Sequence, residues 1–214
     1  MRRFKGYLIL IILFGLLFNA CSKPGHKIAD EALSRGKYEE AIKYYKEILT
    51  ERPSDAHARN NLGIAYIRLT RYDDAFKEFQ KAIAIDPNYA KAHYNLGLVY
   101  YHKGLLDKEI EEYKKALAID PEYEMAHVNL ASAYLQKGEI SLAEKEYTWV
   151  LTKRPENKKA LYNLGVIYLN SGRRGEAISM FERYLKLEST GKSAEKAREF
   201  LNRLKARKKD KETQ

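Results

Sequence analysis

The residues able to do chemistry are few and scattered. Cys21 is the one thiol in 214 residues, so no internal disulfide can form. The imidazoles are His26, His57, His93, His102 and His127. None falls in a metal-ligand motif. His93 and His127 stand 34 residues apart and would lie on adjacent helical layers about 10 Å from each other, too far to share an ion readily. There is no nucleophile motif and no phosphate loop, and the carboxylates fall mostly where a solvated helix face is expected. The chain therefore reads as a non-enzyme with no catalytic residue, no metal and no cofactor. The recurring polar group is an amide: Asn61, Asn95, Asn129 and Asn163 follow one another at 34-residue steps. An amide both donates and accepts, so a row of them can match the N–H and C=O groups of an extended peptide. The same amides can equally serve to order neighbouring helices.

The elements that position these groups share the same period. Pro53, Pro87, Pro121 and Pro155 are 34 residues apart, and Leu62, Leu96, Leu130 and Leu164 keep one register, as do Tyr66, Tyr100, Tyr134 and Tyr168. Repeat two shows the local logic. Asp55 or Ser54 can cap a helix running from about Ala56 to Leu69. Arg71-Tyr72-Asp73 makes a turn, and a second helix runs from about Asp74 to Ile85. Asp86-Pro87 ends it, because the residue before proline is pushed out of the helical region. Gly63, Gly97 and Gly165 allow close helix approach, with Ala41, Ala75, Ala143 and Ala177 as small partners. Glu109 breaks that last pattern: either its helix shifts, or the carboxylate turns outward, since burial would be costly.

In order, Leu62-Gly63, Tyr66, Ala75, Phe79, Ala82 and Pro87 resemble the tetratricopeptide repeat, a helix-turn-helix unit of this length. Repeats three to five match at most of the equivalent residues, with Glu109 and Ala131 departing in repeats three and four and Ser189 at the proline position after repeat five; repeat one, with Ile28-Ala29, Ala41, Tyr45 and Pro53, is worn. The resemblance implies an all-α chain, a right-handed α-solenoid of about five repeats over residues 26–189. Lys192 to Arg207 then reads as a capping helix, with Ala194, Ala197, Leu201 and Leu204 on one stripe, within a C-terminal segment 190–214 that ends in a basic tail. Terminal caps of this kind cover the last apolar face of an array.

Residues 1–20 belong to another class. Arg2, Arg3 and Lys5 precede an unbroken apolar and glycine stretch from Tyr7 to Phe18, short for a spanning helix and suited to a signal peptide. The run Leu17-Phe18-Asn19-Ala20-Cys21-Ser22 resembles the cleavage box of bacterial lipoproteins, although Phe18 and Asn19 depart from it. The resemblance implies cleavage before Cys21, a diacylglycerol on its thiol and an acylated amine, with residues 21–25 as lipidated cysteine and tether. The other reading is a free thiol after an uncleaved anchor. Ser22, rather than aspartate, points to the outer membrane facing the periplasm if the source is a diderm bacterium. Net charge is +10, falling to about +7 without the leader. The charges at Lys205, Arg207, Lys208, Lys209 and Lys211 read as a solvated helix end or as a contact with an anionic surface, and nothing identifies a nucleic acid.

In the tetratricopeptide family the concave surface is lined by the first helix of each repeat. Carried over, this places Asn61; Tyr94, Asn95, Leu98 and Tyr101; Val128, Asn129 and Leu135; and Tyr162 and Asn163 on a partner-binding groove. An apolar, aromatic surface of this kind marks a binding site. The expected function is a lipid-anchored scaffold of the cell envelope, holding a protein or extended peptide and assisting assembly of a complex such as pilus secretin or outer-membrane machinery. The alternative is an accessory regulator of an envelope enzyme such as a peptidoglycan synthase.

Overall fold

A computed structural model describes residues 24–212, with side chains over 25–206. The leader, Cys21 and the side chains of the basic tail beyond residue 206 lie outside the described residues. Eleven helices and no strand are present among the described residues: α1 (Pro24–Ser34), α2 (Tyr38–Glu51), α3 (Ala56–Arg68), α4 (Tyr72–Ile85), α5 (Ala90–His102), α6 (Leu106–Ile119), α7 (Glu124–Lys137), α8 (Ile140–Lys153), α9 (Lys158–Asn170), α10 (Arg174–Leu187) and α11 (Lys192–Glu212). They form two compact units, one ending at Gly104 and one beginning at Leu105. The division falls inside repeat three, between its two helices. In each unit consecutive helices pack on one another, α1 to α5 in the first and α6 to α11 in the second.

Helix ends follow the repeat chemistry. Asp55 caps α3 by accepting the Ala58 N–H at 2.9 Å, and Asn157 caps α9 by accepting that of Ala160 at 3.0 Å. Arg52, Asp86, Asp120 and Arg154, each before a proline, leave the helical region with φ of −131°, −129°, −126° and −131°, as the proline ring demands. The turn inside each repeat needs a left-handed residue; Gly138 supplies it at φ 82°, but in repeat two Thr70 occupies the same place at φ 58°, a conformation uncommon for a β-branched residue. That turn is also tighter than the sequence suggests, since α4 starts at Tyr72. Pro24 and Gly25, expected in a tether, already belong to α1. Proline is well suited to a first helical turn, because its missing N–H has no intrahelical partner there.

The core repeats with the same period. Ala41, Ala75, Ala143 and Ala177 have no exposed surface, and Tyr45, Phe79, Tyr147 and Phe181 fill the layers beside them. A Cβ on Gly63 would stand 2.6 Å from the Phe79 ring, and one on Gly165 would stand 2.6 Å from Phe181. Each glycine thus lets a first helix close onto an aromatic ring of its partner. The proline loops are fastened from the following helix: Arg59 donates to the Pro53 carbonyl, and His93 and His127 to those of Pro87 and Pro121. His127 also stacks on Trp149, with ring centroids 3.6 Å apart. These two histidines therefore serve packing. At the C-terminal end α11 covers α10 with Ala194, Ala197 and Leu204 buried. Phe200 meets Phe181 at 5.6 Å, and Lys205 pairs with Glu182 at 2.7 Å.

Candidate functional site

The first helix of each repeat carries a stripe at i, i+4 and i+7, the spacing that lines up side chains on one helical face. On α5 the stripe is Tyr94, Leu98 and Tyr101. It grades from closed to open: Tyr94 is buried, Leu98 half-buried, and Tyr101 is 55% exposed. In the second unit Val128 and Leu135 on α7 and Tyr162 on α9 are all half-buried, and Met125 at the start of α7 is again 55% exposed. Tyr162 is held edge-on against Phe181 and Tyr184, at 6.2 and 5.3 Å. Leu98, Tyr101, Val128, Leu135 and Tyr162 keep part of their surface open, whereas Tyr94 is not open to a partner.

The asparagines are engaged within the protein. In the first unit they form a relay across three first helices. Asn95 Nδ2 donates to Asn60 Oδ1 at 2.8 Å, Asn60 Nδ2 to Asn61 Oδ1 at 3.1 Å, and Asn61 Nδ2 to Asp30 Oδ1 at 3.0 Å. The Tyr45 hydroxyl donates to the same Asp30 oxygen. Burial, with Asp30 adding to it, holds that phenol far above its usual range. Asn60 and Asn95 are both buried, so breaking the relay would leave amides unsatisfied, at about 1–3 kcal/mol each. In the second unit Asn163 Nδ2 donates to the Tyr147 hydroxyl at 3.1 Å and to the Lys159 carbonyl at 2.9 Å. Ser132 shares a 2.8 Å hydrogen bond with Tyr147, and Asn129 accepts from Lys159 Nζ at 3.3 Å.

The sequence carried a signal for this arrangement in the residue type one layer back. Asn61 and Asn163 follow a tyrosine, Tyr45 and Tyr147, by 16 residues, and its hydroxyl enters their network. Asn95 follows Phe79, which offers no hydroxyl, and turns to Asn60 instead.

Glu109 does not turn outward. It is 4% exposed. Burial pushes its carboxyl up to about 7, while Lys159 and a hydrogen bond from Tyr113 pull the other way. Burial correspondingly lowers Lys159, and Glu109 opposes that shift. Glu109, Asn129 and Lys159 therefore form one polar floor within the second unit.

Stacked helix pairs of this length, with small residues at the close approach and a lined inner face, define a helical repeat scaffold. The signature of the tetratricopeptide repeat matches residues 26–90 and 128–194, with further repeat signatures over 78–111 and 106–138. The chain belongs to the tetratricopeptide repeat family, whose members act as protein-binding scaffolds. No curated protein matches the sequence. Among solved structures, PilF of Pseudomonas aeruginosa is similar at 19% identity and a TM-score of 0.79, over 91% of this chain and 87% of that one. PilW, a widely conserved type IV pilus biogenesis factor, is similar at 21% identity and 0.70, over 87% and 91%. YrrB, described as having an unusual peptide-binding site, is similar at 21% and 0.67, over 83% and 92%. At these identities the likeness concerns the fold.

Proposed function

We propose that the chain is a lipid-anchored scaffold that holds a protein or extended peptide against its first helices and assists assembly of a cell-envelope complex. Cys21 carries the lipid, and in a diderm bacterium the protein faces the periplasm from the outer membrane. The observation that carries the binding part is the exposure of large apolar side chains on first helices in both units, Tyr101 and Met125. Isolated apolar residues are ordinary on a surface, but these continue stripes of half-buried Leu98, Val128 and Leu135, and contiguous patches mark interaction sites. The pilus role of PilW and the peptide-binding site of YrrB support the choice of partner class.

Two measurements test the two parts. Intact mass of the native protein should show loss of the leader and gain of acyl chains, and Cys21→Ala should appear as unprocessed, unacylated chain. A native mass with the leader attached and no lipid ends the anchor proposal. For binding, photocrosslinking side chains placed at Tyr101 and Met125 should capture one partner from intact membranes, whereas one at the exposed Lys77 on α4 should not. Tyr101→Ala and Leu135→Ala should then weaken that partner about 10-fold or more, as aromatic and central apolar anchors do. Unchanged affinity in both variants, with helicity retained, would remove the inner faces as the binding surface.

A further inference from the structure

α11 is longer than the helix it covers. The short link 188–191 turns the chain back, so α11 runs antiparallel to α10 and packs on it, with Phe200 against Phe181. α10 has 14 residues and α11 has 21, which at the rise of a helix is about 21 Å against about 31 Å. About seven residues, 206–212, therefore extend past the start of α10.

The buried stripe stops where the overlap stops. Ala194, Ala197 and Leu204 are buried and Leu201 is half-buried. The next positions in that three-and-four register are Lys208 and Lys211. A helix that covered a further apolar face would carry apolar residues there, so residues 206–212 are not built to join a core. What they offer is charge. α11 holds nine Lys or Arg against four Asp or Glu, a surplus of five in a chain whose whole net charge is +10. Nearer its start, Lys192 and Lys196 are exposed and make no ion pair among the described residues. Lys205, at the foot of the overhang, is held by Glu182 at 2.7 Å.

We propose that the overhang of α11 docks on the surface of an anionic phospholipid bilayer through Arg207, Lys208, Lys209 and Lys211. Its composition favours a lipid surface over an acidic protein. Protein interfaces are anchored by aromatic and arginine side chains and are depleted in lysine. Residues 206–212 contain no apolar residue beyond Ala206, and three of their four cations are lysine. A fluid headgroup layer needs no shape match, and each basic residue held near it raises partitioning about fivefold. Asp210 and Glu212 oppose that attraction, so the contact is reversible and needs a second attachment to last. It goes beyond the scaffold reading, because it requires neither the lipid on Cys21 nor a partner on the first helices.

The test uses the full chain carrying Cys21→Ser and Ala206→Cys, so that a donor fluorophore can be placed on a single thiol beside the overhang. Energy transfer to headgroup-labelled lipid is read per bound chain, in vesicles of phosphatidylcholine alone and with one-third phosphatidylglycerol. Transfer should be several-fold higher with phosphatidylglycerol. It should fall to the phosphatidylcholine level at about 1 M salt, where the screening length is about 3 Å. Replacing Arg207, Lys208, Lys209 and Lys211 together with Gln, a good helix former, should do the same at low salt and leave the thermal midpoint unchanged. Asp210→Asn with Glu212→Gln should raise transfer. Equal transfer from the two kinds of vesicle, or transfer that survives the four glutamines, overturns the assignment. So does an overhang that crosslinks to an acidic protein while showing no preference for phosphatidylglycerol. Either failure leaves the tests of Cys21, Tyr101 and Leu135 standing, since none of those residues takes part.

Discussion

Replacing Glu109 with glutamine is expected to raise stability above neutral pH by about 2 kcal/mol and to flatten its pH dependence. The reason is the register of Glu109. Ala75, Ala143 and Ala177 stand at the same place in their repeats and are fully buried, and Glu109 is buried with them. Burial raises its carboxyl from 4.5 to about 7. The folded state therefore holds a proton that the unfolded chain releases between those two values. Stability is at its full value below about pH 4.5, falls as pH rises, and above about pH 7 stays lower by a constant amount. Glutamine keeps the shape and removes the charge, so the variant should match the wild type in acid and exceed it in base. Urea unfolding across this interval provides the comparison. Parallel pH profiles for the two proteins would mean that Glu109 is solvated and that the polar floor of the second unit is open to water.

The repeat architecture was legible because each unit carries its own punctuation. Prolines stop the second helices, Asp55 caps α3, and the alanine and aromatic registers fix which faces meet. The capping role of α11 followed from Ala194, Ala197 and Leu204 on one stripe. What the period concealed were the differences between repeats. Tyrosine against phenylalanine in one layer decides where the next asparagine turns, so the Asn95–Asn60–Asn61–Asp30 relay depends on residues in three separate helices. His26 and His57, 31 residues apart, meet only because one lies at the start of α1 and the other opens α3. The burial of Glu109 could not be read either, because a long flexible side chain at a core position can in general reach water or not according to its neighbours. Nor does spacing alone tell open from closed: Tyr101 is exposed, whereas Tyr94 on the same helix is buried.

The contact between Gly165 and Phe181 should dominate the second unit. Phe181 is fully buried, lies against Tyr162, and carries Phe200 of the capping helix on another side. Phe181→Ala should therefore cost about 3–5 kcal/mol and loosen α11, because the ring joins α9, α10 and α11. Gly165→Val should cost about 1–3 kcal/mol by overpacking, since a Cβ there would meet the ring at 2.6 Å. The two changes act on one space. With the ring removed, the valine methyls occupy part of the cavity, and valine is better tolerated in a helix than glycine. The double variant should accordingly be more stable than the sum of the single costs by at least about 1 kcal/mol, within the coupling range of residues in contact. Urea unfolding of the four proteins measures this directly, with protease sensitivity of the C-terminal helix as a second readout. Strict additivity would show that α9 and α10 do not close on each other through this ring, and that the glycine register has some other cause.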